Sequence, residues 1–325
     1  MPKTVETVLG PIGTDKLGFC LMHEHLVTTM PGVVQSYPQL LAAEFRDKIL
    51  RILKHTKQGG VDTIVDATPF DLGRNIPLMR WAAENSGINI IASTGWYRQL
   101  GEFHKMLPSI SPGRLAGLFI SDIVNGMDGT DVKAGVIKGA VDREGMTPQR
   151  ATVIRAIGIA QKETGAPVML HSDALIQIGR AQITLLAEEG ADLTRVKIDH
   201  CLDTTDIDYL KWITDQGCYI GLDRLPAFSP PNSYVVPLEK RLETVKTLIN
   251  DGYANRLLFG HDGIISGMQG VKEPKVQKDP FSPTSDGMFL YVKDVFIPAL
   301  IEMGVSESVL NEICTVNPRR FFEGS

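Results

Sequence analysis

The 325-residue sequence has no run of about 18 apolar residues, the length a helix needs to cross a bilayer. Its first residues, MPKTVETVLGPIGTDKLG, lack the basic start and the apolar stretch of about 7–15 residues that mark a secretory leader. Cysteine is scarce: Cys20, Cys201, Cys218 and Cys314 are scattered and none forms a CxxC pair. Disulfide staples and cysteine-rich zinc motifs are therefore not expected, and free thiols in a reducing cytoplasm are. No lysine-arginine cluster is present and the net charge is −5, so nucleic acid and anionic membranes are not expected partners. There is no GxGxxG after the first apolar run, no low-complexity tract and no repeat of solenoid period. What remains is an ordinary globular composition, 43% hydrophobic and 22% charged.

Eight short, apolar, β-branched runs punctuate the chain: 18–25, 61–68, 88–95, 134–139, 167–172, 195–200, 218–224 and 256–262. They are nearly continuous in apolar residues, as strands buried on both faces should be. Between them lie segments of helical periodicity that end in glycine, such as IPLMRWAAENSG and TPQRATVIRAIGIAQKETGA. Eight alternations of strand and helix predict a parallel sheet closed into a (β/α)8 TIM barrel, with one domain over residues 1–325 and a long loop after the eighth strand.

Active sites of such barrels gather at the C-terminal ends of the strands. Five of the seven histidines fall there: His23 and His25 on strand one, His171 on strand five, His200 on strand six and His261, followed by Asp262, on strand eight. Residues at i and i+2 of a strand share a face, so His23 and His25 point the same way. A core does not gather imidazoles without partners. The pattern predicts a metal site. His261 is ambiguous, because Asp262 is the better ligand or base. His55 lies near a helix C-terminus, where a cation suits the dipole, and His104 lies in a loop.

Lys138, in AGVIKG, would bring an ammonium beside divalent cations. Burial and like charge disfavour that form. A neutral amine can react with carbon dioxide, giving a carbamate able to bridge two metals. The alternatives are a Schiff-base lysine of a barrel lyase and a lysine paired with an acid.

HxH on strand one, GVIK on strand four, single histidines on strands five and six and HD on strand eight resemble the phosphotriesterase family of the amidohydrolase superfamily. Supporting stretches run along nearly the whole chain: TVLGPI, VDATP with DLGRN, IIASTGWY, KETGAPVMLH, IDH, LLFGHD and VNPRRFF. Tyr97 after strand three and Arg224 after strand seven resemble most the phosphotriesterase-like lactonases of that family. The resemblance implies two divalent metal ions, zinc first, with iron, cobalt or manganese as alternatives. His23, His25 and Asp262 would hold the more buried ion and His171 and His200 the more exposed one, with N6-carboxylated Lys138 and a hydroxide between them. It implies attack by that hydroxide, proton acceptance by Asp262, a Tyr97 hydrogen bond near the substrate oxygens and a loop ordered by Arg224.

The expected activity is the opening of lactones, among them acyl-homoserine lactones, with promiscuous hydrolysis of organophosphate triesters. The alternatives are another carboxylic ester, a carbamate or an organophosphate as main substrate, a lyase using Lys138, or a binding-only barrel. A cytoplasmic homodimer is expected from the family. The chain departs from the family at HSDALIQIG after strand five, at the proline-rich LPAFSPPNSYVVPLEKR after strand seven and at the loop GIISGMQGVKEPKVQKDPFSPTSDGM after strand eight. The metal chemistry transfers better than the substrate, because loops carry specificity.

Overall fold

A computed structural model describes residues 3–42, 44–97, 110–226, 236–267, 280–281 and 285–324. Much of the loops after strands seven and eight, 227–235, 268–279 and 282–284, lies outside the described residues, as does His104.

The eight expected runs form parallel strands in the expected order: β3 (Cys20–Thr28), β4 (Thr63–Asp66), β5 (Asn89–Trp96), β6 (Val136–Val141), β7 (Val168–Ser172), β8 (Val196–Ile198), β9 (Tyr219–Leu222) and β10 (Leu257–Phe259). The later strands are shorter than their apolar runs. The difference is made of site residues: Asp199 and His200, Asp223 and Arg224, His261 and Asp262 have left the ladder.

Three elements were not expected from the apolar pattern. A polar hairpin precedes the barrel, β1 (Thr4–Thr7) with β2 (Gly10–Gly13). A helix spans Pro112–Val124, its first turn capped by the Ser111 hydroxyl. The eighth strand is split, and its second piece is β11 (Gly263–Gly267). That split closes the ring. β10 pairs with β9 and β11 pairs with β3, so the two open edges of the sheet are consecutive pieces of one strand. Across the gap the amide of Asp262 donates to the carbonyl of His23 at 2.9 Å.

Crossover helices form where the periodicity and punctuation place them. The helix Pro148–Thr164 opens on Thr147, whose hydroxyl accepts from the Arg150 amide, and stops at Gly165 in the left-handed region. The helix Ile76–Ser86 opens on Asn75, whose side chain accepts from the Leu78 amide at 2.9 Å.

The lumen is stratified. Toward its N-terminal end Met22, Val136, Met169, Tyr219 and Leu258 pack with Val5 of the hairpin and with Phe321 and Phe322 of the terminal helix Glu307–Glu323. One strand alternation further along, Lys138 stands above Val136 and His171 above Met169. The apolar floor and the polar rim are thus successive turns of the same pleat.

Candidate metal centre

Strict alternation from the floor residues Cys20 and Met22 would put Glu24 in the lumen and His23 and His25 behind it. The pairing of β3 with β4 shifts register between Leu21 and Glu24. Such a bulge inverts the faces beyond it. His23 and His25 therefore face the lumen, while Glu24 lies behind with no exposed surface.

A second device operates at strands six, seven and eight. Each ends in a pair, Asp199-His200, Asp223-Arg224 and His261-Asp262. In each pair the second residue is left-handed, with φ of 63° at His200, 57° at Arg224 and 53° at Asp262. At strands six and seven the turn lets both adjacent residues reach polar partners at the rim; at strand eight it sends Asp262 to the rim and His261 behind it. Non-glycine residues rarely hold such angles, and they do so where the surroundings over-determine them.

The eight residues singled out from the sequence come together. His23 Nε2 lies 3.3 Å from Asp262 Oδ1, and His25 Nε2 lies 3.2 Å from the same oxygen. Lys138 Nζ is 3.3 Å from His23 Nε2. His171 Nδ1 is 2.7 Å from His200 Nε2 and 3.1 Å from the Tyr97 hydroxyl. Arg224 Nε donates to Asp262 Oδ2 at 3.3 Å, and its guanidinium also pairs with Asp203. The Tyr97 amide donates to Asp71 Oδ1 at 2.8 Å, which ties that residue to the loop after β4.

The imidazole tautomers follow from the partners on the far side of each ring. His23 Nδ1 donates to Asp223 Oδ2 at 2.7 Å, and His200 Nδ1 donates to Asp223 Oδ1 at 2.8 Å. His25 Nδ1 lies 2.8 Å from the Thr68 hydroxyl. Those bonds leave Nε2 of His23 and His200 as bare lone pairs aimed at the centre. Orientation of a ligating histidine by a carboxylate or hydroxyl behind it is the usual support of a metal site.

Asp199 and Asp223 were not singled out from the sequence. Asp199 pairs with Lys138 through Oδ2 and with Lys197 through Oδ1 at 2.7 Å. A signal existed: an imidazole that ligates through one nitrogen needs an acceptor on the other, and both acids adjoin candidate residues at strand ends.

Charge is concentrated here. Burial pushes the Asp223 carboxyl up, but His23, Lys197 and Arg224 outweigh it and bring it down to about 2. Asp199 and Asp262 are likewise held below the usual carboxylate range against burial, by Lys138 and Lys197 for the first and by His23 and His200 for the second. Burial, with Arg224 and His171 adding to it, drives His200 well below the usual imidazole value. The rim is therefore an array of ionised carboxylates and a neutral imidazole.

Among the described residues, two groups of three bring donor atoms within 4.8 Å of one another: His23, His25 and Asp262, and His23, His200 and Asp223. They are not equivalent. Asp223 is occupied by the two Nδ1 hydrogens and serves as the brace. In the other group Nε2 of His23 and His25 face a carboxylate oxygen. A tetrahedral ion with bonds of about 2.0–2.1 Å sets its ligand atoms about 3.3 Å apart, which is the spacing found between Asp262 and both rings. The residues fit a divalent cation. His261 is excluded as a ligand, since both its ring nitrogens are engaged elsewhere, with Glu24 and with the Val292 amide.

Comparison with known proteins agrees with this geometry. The model of the phosphotriesterase family matches residues 3–322. An aryldialkylphosphatase of Saccharolobus solfataricus is 39% identical over 96% of this chain and 96% of its own. A phosphotriesterase homology protein of Mycobacterium tuberculosis is 35% identical over 99% of this chain and 98% of its own. The solved structure of the phosphotriesterase from Mycobacterium tuberculosis superposes with a TM-score of 0.87 at 34% identity, covering 99% of this chain and 98% of that one. These matches span the barrel and the rim alike, and the chain belongs to the phosphotriesterase family, whose members' names mark it as a hydrolase of esters.

Proposed function

We propose that the chain is a binuclear metal-dependent hydrolase that opens lactones and hydrolyses organophosphate triesters as a secondary activity, residues 1–325 acting as one domain. The observation that carries the reading is the convergence of Nε2 of His23, His25 and His200, Nδ1 of His171, Asp262 and Lys138 Nζ, with acids and a hydroxyl braced behind three of the rings. His23, His25 and Asp262 would hold one ion, His171 and His200 the other, and Lys138, carboxylated on Nζ, would reach both. Two divalent cations held there would supply an activated water near neutral pH and polarise the carbonyl or phosphoryl oxygen of the substrate.

The protein's own groups do the rest. Asp262 stays ionised and its Oδ2 can take a proton from the nucleophile, with Arg224 beside it fixing the carboxylate. Tyr97, anchored through Asp71 and against His171, can donate its hydroxyl to a substrate oxygen. Large apolar side chains stand exposed after the C-terminal ends of the strands, among them Phe70, Leu175, Ile176 and Ile264. An acyl chain is the substrate part that such a rim would cover. Two ions, a cytoplasmic setting and a homodimer complete the reading, the second in keeping with four buried free thiols.

The Schiff-base alternative is disfavoured, because Lys138 has no exposed surface and its Nζ is held between Asp199 and His23. A second order of substrates, triester before lactone, is favoured by the names of the Saccharolobus and Mycobacterium relatives. The experiment is a paired assay on one metal-loaded sample, with a long-chain acyl lactone and an aryl phosphate triester. A lactone kcat/KM larger by orders of magnitude is the expected result. A triester preference reverses the order, and turnover of neither removes both substrate classes.

A further inference from the structure

Glu24 and His261 sit behind the rim and have no part in the chemistry described above. Glu24 is fully buried, and its carboxylate faces the gap where the eighth strand breaks. Oε1 accepts from the His261 amide at 2.9 Å and from His261 Nδ1 at 2.7 Å, and Oε2 accepts from the Gly263 amide at 3.2 Å. One side chain thus accepts from the amides on both flanks of Asp262, beside the bond of the His261 amide to the His23 carbonyl at 3.3 Å. A Cβ at Gly263 would lie 2.7 Å from the Phe289 ring, so the carboxylate and that ring pack closely over the gap.

His261 continues the chain of contacts. With Nδ1 donating to Glu24, its Nε2 accepts from the Val292 amide at 3.1 Å. Val292 is buried and opens a π-helical turn, Val292–Phe296. An amide at the start of a helical segment has no partner within the helix, and a buried one needs a partner from elsewhere. His261 supplies it. The segment from Ser285 to Phe296 follows directly on the long loop after the eighth strand.

We propose that Glu24 and His261 are positioning residues for Asp262: the Glu24 carboxylate clamps residues 261–263, and His261 fastens that clamp to the π-turn. The inference rests on the metal-centre reading above and adds that Asp262 is set in place from behind, through this pair. It makes the affinity of the ion held by His23, His25 and Asp262 depend on two groups that do not touch it.

Two variants separate the halves of the link. In His261→Asn the amide nitrogen can take the place of Nδ1 and keep the bond to Glu24, losing the bond from Val292. In His261→Gln the side-chain oxygen can take the place of Nε2 and keep the bond from Val292, losing the side-chain bond to Glu24 and leaving the carboxylate only the two backbone amides. Zinc affinity of the purified full-length chain is measured by competition with a chromogenic chelator, beside the thermal midpoint. The expected result is a roughly 10- to 100-fold loss of affinity at one of two sites in His261→Gln and a smaller loss in His261→Asn. Wild-type affinity in a folded His261→Gln overturns the proposal, even if the midpoint falls. If that variant does not fold, Glu24→Gln provides the same reading, since its amide nitrogen would face the Gly263 amide. A wild-type chain without zinc affinity removes the metal-centre reading, and this proposal with it.

Discussion

At the floor of the lumen Met22, Met169 and Leu258 meet in an apolar cluster. One alternation further along the barrel the layer is polar: Lys138 meets His23 and Asp199, His171 meets His200, and His23 meets Asp262. The backbone is the same parallel pleat at both levels. What differs is how each level is held. The floor needs only complementary volume. The rim needs a bulge at strand one, three left-handed residues at the ends of strands six to eight, and a brace behind its rings. Each left-handed non-glycine residue costs on the order of 1–3 kcal/mol, which the packing of the surrounding structure must offset.

If that division is right, substitutions at the two levels should fail differently. The largest effect belongs to Lys138→Met. It removes the side chain proposed to serve both candidate ions, and turnover should fall below detection, with the second equivalent of metal lost. Activity that survives without added carboxylate would refute the bridge. Met22→Ala is the counterpart at the floor. A fully buried methionine cut to alanine should cost about 2–5 kcal/mol in stability, measured by urea denaturation, while the folded fraction keeps its metal content and its kcat/KM. A change in metal content would show that floor and rim are not separable.

The sequence made the barrel readable because each strand is a continuous apolar run between glycine-stopped helices. The same criterion hid the hairpin Thr4–Thr7 with Gly10–Gly13, which is short and polar, and the split of the eighth strand, whose flanking amides meet the carboxylate of Glu24, far away in sequence. At the site, histidines were visible because they are few and stand at strand ends. Asp199 and Asp223 were not, because aspartates at strand ends are common, and only the direction of the far ring nitrogens shows that Asp223 braces two histidines at once. The left-handed turns that bring paired residues to the rim have no signature in composition, since none of the three is glycine.

The smallest expected effect sharpens the comparison through pH in the metal-free protein. The folded-state value of His200 lies below its unfolded value of about 6.5, so below that pH the unfolded chain binds a proton that the folded chain refuses. Stability should therefore fall as pH drops from 7.5 to 5.5, by up to about 1.4 kcal/mol per pH unit for one such group. Asp223 acts in a lower window. Its folded value is about 2 against 3.8, so its contribution is present above about pH 4 and is lost as pH falls through 2. A urea midpoint that stays flat between pH 7.5 and 5.5 would contradict the assignment of His200 as a buried neutral ring.

Metal content is the decisive measurement for the proposed two-metal rim. Elemental analysis should find two divalent ions per chain, a strong chelator should abolish hydrolysis, and two returned equivalents should restore it. Full hydrolytic activity in a chain with less than one ion would contradict the two-metal rim.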